Sequence, residues 1–248
     1  MLNEAPALRR ADAPPRLVFD VNGHAISMAA QDGAFRAALD AADIVHADGG
    51  VIVAASRLTG GGGIPDRSAT TDVYLDCLLP AAVGRVRMYL LGGRPGVARA
   101  CAERSALMAP GLDIVGDRHG YFSEDEEAAV VEEINAAAPD VVWVGLGKPK
   151  EQAFCLRHRD RLKCGWLVTC GGLFNYVTGD YPRAPRWMQR SGLEWLHRLA
   201  TNPRHLLWRY ATTNPHALWL IATKLGGPGG PSHDTAGVDR SVSTRLRA

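Results

Sequence analysis

The chain has 248 residues, 46% of them hydrophobic and 22% charged. That balance excludes a disordered or collagen-like polymer and allows one large core with an appendage. The formal net charge of +2 hides a split: residues 1–150 hold 14 basic and 20 acidic side chains, a balance of −6, and residues 151–248 hold 14 and 6, a balance of +8.

Residues 1–16, rich in Ala and Pro, read as a flexible N-terminus, and no apolar run follows Arg9, Arg10 and Arg16 to make a secretory signal. Six short apolar runs then read as buried strands, at residues 17–21, 43–47, 86–91, 113–115, 141–145 and 166–169. Residues 26–42, 51–58, 96–108 and 123–138 carry helical spacing, and Ser123 with Glu126 predicts a capping box. The alternation predicts an α/β core over residues 17–180, a Rossmann-like, largely parallel sheet with helices on both faces. No strand pattern returns after residues 171–180. Residues 183–200 and 203–225 read as helices interrupted by Pro185, Pro203 and Asn214-Pro215, which gives a helical appendage over 181–225. Residues 226–248, rich in Gly, Pro, Ser and Thr, read as a disordered tail.

In an open parallel sheet, ligands bind beyond the carboxyl ends of the strands, so polar residues there are the candidates. The first run leads into Asp20, Asn22 and His24. The second leads into Asp48-Gly49-Gly50, where the aspartate either caps the next helix or acts as a general base or sugar-hydroxyl ligand. The third ends Gly92-Gly93-Arg94 before a helix, a turn that directs amide groups toward an anion. The fifth ends Gly145-Leu146-Gly147-Lys148-Pro149-Lys150-Glu151-Gln152. Arg67 follows four consecutive glycines, 60–63, and either swings onto a phosphate or belongs to an ordinary connection.

Several chemistries lack their residues. The eight histidines are scattered and no Cys/His cluster or Asp-x-Asp pair exists, so no metal site and no cofactor are expected. There is no G-x-G-x-x-G, P-loop or G-x-S-x-G. The five cysteines show no C-x-x-C spacing, which favours a reducing compartment. Residues 183–224 hold seven basic residues, the single acid Glu194 and four of the six tryptophans, Trp187, Trp195, Trp208 and Trp219. That composition suits an element lying on an anionic membrane, or else helices packed on the core or in a subunit contact with solvated arginines. The preponderance of arginine over lysine suits phosphate recognition, although a GC-rich coding bias gives the same usage. Nucleic acid is disfavoured by the nearly balanced total charge.

Taken in order, these motifs resemble the WecG/TagA/CpsF bacterial glycosyltransferases, glycosyltransferase family 26. The resemblance is carried by Ala42-Asp43-Ile44-Val45-His46-Ala47-Asp48-Gly49, by Ile64-Pro65-Asp66-Arg67 with Asp72, and by Leu90-Leu91-Gly92-Gly93. It continues through Gly116-Asp117-Arg118-His119-Gly120-Tyr121-Phe122 and Pro139-Asp140 to Lys150, and ends with Arg183-Ala184-Pro185 and Gly192-Leu193-Glu194-Trp195-Leu196-His197-Arg198-Leu199. It implies a GT-E-like fold and an inverting, metal-independent transferase of exopolysaccharide or cell-surface polysaccharide synthesis. Such an enzyme would move a sugar of the ManNAc or glucose type from a UDP-sugar to a polyprenyl-diphosphate-linked acceptor. It would be cytoplasmic, held peripherally on the inner face of the plasma membrane, and self-association is compatible with it.

Residue by residue, the resemblance puts Asp48 at the catalytic base, Asn22 at the Asn of the first strand end and Arg67 at the mobile-loop arginine. Asp20, Gly92, Gly93, Gly147, Glu151 and Gln152 fall among the substrate contacts, and Arg183, Arg198, Arg204 and Arg209 on the diphosphate and membrane side. Asp20 stands where the family usually has Thr, Glu151 where it has Gln, and Arg204 and Arg209 lie beside the later family arginines. Those departures keep a second reading open, a non-catalytic nucleotide- or lipid-intermediate-binding protein of a polysaccharide assembly system.

Overall fold

A computed structural model describes residues 1–11, 13–57, 63–65, 67–185, 187–188, 194–201 and 203–224, without the side chains of 51, 198, 203–206, 209–211 and 224. Residues 58–62, the tail at 226–248, and the side chains of Arg198, Arg204 and Arg209 therefore lie outside the described residues.

All six apolar runs are strands: β1 (Arg16–Val21), β2 (Ile44–Ala47), β3 (Arg87–Gly92), β4 (Asp113–Arg118), β5 (Val141–Gly145) and β6 (Trp166–Thr169). They form one sheet in the order β2-β1-β6-β5-β3-β4, with every pairing parallel. Alternate residues feed two cores. Val18, Met88, Leu90, Val141, Trp143, Trp166 and Val168 face one side, and Leu17, Phe19, Tyr89, Leu91, Val142, Val144 and Leu167 face the other. Burial on both faces is why these strands read as continuous apolar runs.

The helices are α1 (Ala5–Arg10), α2 (Gly23–Gln31), α3 (Gly33–Asp40), α4 (Gly50–Arg57), α5 (Thr70–Gly84), α6 (Val97–Met108), α7 (Glu127–Ala137), α8 (Lys150–His158), α9 (Leu173–Thr178), α10 (Glu194–Thr201) and α11 (Pro203–Lys224). The Ser123/Glu126 capping box is present and opens a short 3-10 turn, Glu124–Glu126, that runs into α7.

Three expectations are corrected, and one helix without a forecast is added. The N-terminus is not loose: α1 buries Ala5 completely, Met1, Leu2 and Leu8 pack on the core, and Arg9 Nε donates to Asp140 Oδ1 at 2.7 Å. Gly165 makes that docking feasible, because a Cβ there would stand 2.4 Å from the Ala5 carbonyl oxygen. Residues 26–42 are two helices, since Asp32 accepts the Ala34 and Phe35 amides and starts α3 afresh. Residues 70–72 open α5, a helix whose internal Pro80 obscures its pattern. Pro215 does not interrupt α11, which runs through it.

The appendage is tied to the core by α11, whose Ala217, Leu220 and Ile221 are buried and whose His216 Nδ1 lies 2.9 Å from Ser27 Oγ of α2. Gly23 permits the approach, because a Cβ there would meet Asn214 Oδ1 at 2.8 Å. No described helix is long and apolar enough to cross a membrane.

Candidate active site

The carboxyl ends of β1, β2, β5 and β6 surround a polar basin of ≈ 320 Å³, and those of β3 and β5 border a second of ≈ 640 Å³. The two share Gly147, Gly171 and Gly172, so they form one continuous cleft of the size of a small-molecule site. Above the sheet, Glu194 and Trp195 of α10 and Asn214 of α11 close the first basin, so the appendage is part of the site.

The floor of the first basin is a charge cluster. Lys148 Nζ lies 2.5 Å from Asp20 Oδ2 and 3.6 Å from Glu151 Oε1. Thr169 on β6 donates its hydroxyl to Asp20 Oδ1 at 3.2 Å. Glu151 Oε2 accepts the amides of Gly147 and Gly171, both at 3.0 Å, and Gln152 Nε2 donates to its Oε1 at 3.3 Å. Glu151 thus pins two strand-end loops together. Its complete burial raises its carboxyl to about 7, against the lowering effect of the Lys148 ammonium and the two amides. The lysine is itself held above its ordinary range: burial works against its charge, but Asp20 and Glu151 outweigh it.

Asp48 follows β2. It does not simply cap the adjacent helix: its Oδ1 accepts the amide of Thr70, the first residue of α5, at 3.2 Å. This draws the end of β2 and the start of α5 together around the basin. His46, opposite Asp20 in the β1–β2 register, donates Nδ1–H to the Ser68 carbonyl at 2.9 Å. Burial lowers its pKa, and the bond to the carbonyl sets the proton on Nδ1. Asn22 Oδ1 accepts the Ala25 amide at 3.1 Å and so caps α2 while lining the same basin.

Arg67 is already engaged. Its Nη1 donates to Glu194 Oε2 at 2.7 Å, and its Nη2 lies 3.6 Å from Asp72, which also accepts from Arg183 at 2.8 Å. A chain of alternating charge, Glu194–Arg67–Asp72–Arg183, therefore joins the loop after α4, the start of α5 and the appendage.

The second basin is lined by Gly93, Arg94, Gly120, Tyr121, Phe122 and Lys150, among others. Gly92 has φ +146, and a Cβ on it would stand 2.2 Å from the Gly145 carbonyl oxygen. Gly92 is thus needed for contact between the ends of β3 and β5, and Gly93 forms the surface beyond it. Lys150 is held over the Phe122 ring at 4.6 Å and donates to the Phe122 carbonyl at 3.2 Å.

Of the sequence candidates, Asp20, Asn22, Asp48, Arg67, Gly147 and Glu151 meet in the first basin, and Gly93 and Gly147 line the second. Gln152 is fully buried behind Glu151 and lines neither, and Arg183 acts through Asp72. Sequence reading missed Lys148 as a site residue, and also Thr169, Asp72, Trp195 and Asn214. The signal for Lys148 was present, since an unusual aspartate and an unusual glutamate both needed a cation. Among the described residues no group of His, Cys, Asp and Glu could hold a metal ion.

Comparison with known proteins shows what the chain is similar to. The model of the "Glycosyl transferase WecG/TagA/CpsF family" matches residues 2–228. An N-acetylglucosaminyldiphosphoundecaprenol N-acetyl-beta-D-mannosaminyltransferase of Bacillus spizizenii is 33% identical over 181 residues, covering 73% of this chain and 68% of that protein.

Proposed function

This chain belongs to the WecG/TagA/CpsF glycosyltransferase family, and from that premise we propose that it transfers a sugar, with inversion, from a UDP-sugar to a polyprenyl-diphosphate-linked acceptor. The named relative's acceptor is a lipid diphosphate bearing N-acetylglucosamine, and an acceptor of that class suits the arginines grouped at the appendage.

The cleft supports a division of labour. The nucleotide diphosphate lies in the second basin, where Arg94 and Lys150 offer donors to phosphate and Tyr121 offers a ring face. The donor sugar reaches across Gly147 and Gly171 into the first basin. The acceptor hydroxyl attacks the anomeric carbon as its proton passes to the Asp48 carboxylate. The bond from that carbon to the β-phosphate oxygen breaks, and UDP leaves with the electron pair. Arg94 and Lys150, which line the second basin, meet the developing charge of the leaving group, and the Glu194–Arg67–Asp72–Arg183 chain holds the appendage in place. The roof formed by Glu194, Trp195 and Asn214 limits water, which protects the donor from hydrolysis.

The lipid-linked acceptor places the protein at a membrane surface, and α11 supports this. Leu207, Trp208, Leu218 and Trp219 are 58%, 79%, 41% and 60% exposed. The two pairs are eleven residues apart, about three turns, so they form one stripe about 16 Å long. The face of α11 that carries Ala217, Leu220 and Ile221 is packed on the core, so the stripe is left for an interface, and the excess of basic residues nearby favours anionic headgroups. We infer peripheral attachment to the inner face of the plasma membrane.

The observation that carries this reading is Asp48, fixed at a strand end in the same basin as Arg67. Asp48→Asn keeps the fold and UDP binding and loses at least about 100-fold in transfer, as removal of a general base does. Transfer at the unmodified rate by that variant would refute the assignment.

A further inference from the structure

Among the described residues, four acids and two bases line the first basin: Asp20, Asp48, Glu151 and Glu194, and Arg67 and Lys148. Neither base is at a ligand's disposal. Arg67 is engaged by Glu194 and Asp72. Lys148 is held between two carboxylates, with Asp20 at 2.5 Å and Glu151 at 3.6 Å. To turn toward a ligand, the ammonium would have to abandon Asp20, a carboxylate only 3% exposed. Removing the cation from a buried carboxylate is strongly unfavourable. Thr169 holds the other oxygen of Asp20 and resists its rotation toward solvent. The floor thus offers carboxylate oxygens, which accept hydrogen bonds from hydroxyl or amide groups, and withholds the cation that a sugar carboxylate would need.

Resting on the donor placement given above, we propose that the Asp20–Lys148–Glu151 cluster is a specificity device. It admits a donor whose sugar is uncharged, a hexose or N-acetylhexosamine, and rejects the corresponding hexuronic acid. Asp20 is the sugar-facing member, and Lys148 and Glu151 are positioning residues that hold it. A uronate at this floor meets Asp20 and Asp48, and no cation among the described residues of the floor is left to pair with it; juxtaposed like charges exclude such a ligand. A lysine left without a carboxylate partner at the same place would select in the opposite direction.

The test uses the full chain with a polyprenyl-diphosphate-linked N-acetylglucosamine acceptor. The donors are matched pairs, UDP-N-acetylmannosamine against its 6-carboxylate and UDP-glucose against UDP-glucuronate. The readout is the ratio of kcat/KM within each pair, and competition against bound UDP gives the same ratio without turnover. The wild-type protein favours the uncharged member by at least about 100-fold. Asp20→Asn, which releases Lys148, cuts that preference at least about tenfold. If that variant does not fold, Asp20→Asn combined with Lys148→Met removes both charges and also cuts the preference. A wild-type enzyme that uses the uronate as well or better overturns the inference and leaves the transferase reading intact. So does an unchanged ratio in both variants. Failure to bind UDP or turn over any donor overturns the transferase reading, and this inference with it.

Discussion

Replacing Lys148 by Met tests the charge cluster directly. The ammonium lies 2.5 Å from Asp20 and 3.6 Å from Glu151, and both carboxylates are almost wholly removed from water. Methionine keeps the volume of the stem and removes only the charge. Breaking a buried pair at one partner costs about 3–5 kcal/mol. That is a large part of the roughly 5–15 kcal/mol that holds a domain together. For a chain of this size each kcal/mol moves Tm by about 2–4 °C, so the variant should melt about 6–20 °C below the wild type. The loss should depend on pH. Without the ammonium, the Glu151 carboxyl rises further above its unfolded value. A group raised in this way contributes stability below its unfolded pKa and loses it as pH rises through the folded one. The deficit should therefore be greatest near pH 8 and shrink toward about pH 5. Adding Asp20→Asn should recover much of it by removing one of the stranded charges. Thermal unfolding followed by circular dichroism across that range gives the answer. A Lys148→Met protein that melts within about 2 °C of wild type at pH 8 would show that the ammonium is not what holds the carboxylates.

Glu151→Gln should act in the opposite sense. The wild-type carboxyl is raised by burial to about 7 from 4.5 as a free group, so it drains stability as pH rises between those values, by roughly 3 kcal/mol. The glutamine variant should show a flatter Tm–pH profile between about pH 5 and 8 and be the more stable protein at the upper end; a parallel profile would rule this out. Trp208→Ser together with Trp219→Ser should leave the Tm unchanged, since both rings are exposed, and reduce sedimentation with anionic vesicles at least about tenfold. Unaltered vesicle binding would move the membrane contact elsewhere.

The core was legible because its physics is local and repetitive. Strands buried on both faces must be short apolar runs, and all six were visible as such. The register of charged partners was not legible. Nothing in the pattern around Ala5 announces a docked helix, because the docking depends on Gly165 and Asp140, far along the chain. For the same reason Asp48 read equally well as a helix cap and as a base. Only the fold shows its oxygen on the amide of Thr70, 22 residues away. Arg67 looked mobile after four glycines, and its partner Glu194 lies 127 residues further on. Residues that act at a strand end are recoverable from sequence, whereas residues that neutralise one another across elements are not.

The strand order has a consequence for how the molecule comes into being. β1 and β2 join the rest of the sheet only through β6, the last strand to be synthesised, which lies between β1 and β5. Until residues 166–169 leave the ribosome, the nascent chain holds two separate sheet fragments, each with a bare apolar edge. One fragment carries Asp20 and Asp48, and the other carries the glycine-lined second basin. Long-range parallel closures of this kind are slow, and their open edges invite aggregation. Insertion of β6 closes the sheet, brings Thr169 to Asp20, and makes one cleft from two halves that have no common wall before it arrives. Completion of the sheet is therefore the step that makes the cleft, and the appendage, synthesised after it, has a finished floor to close over.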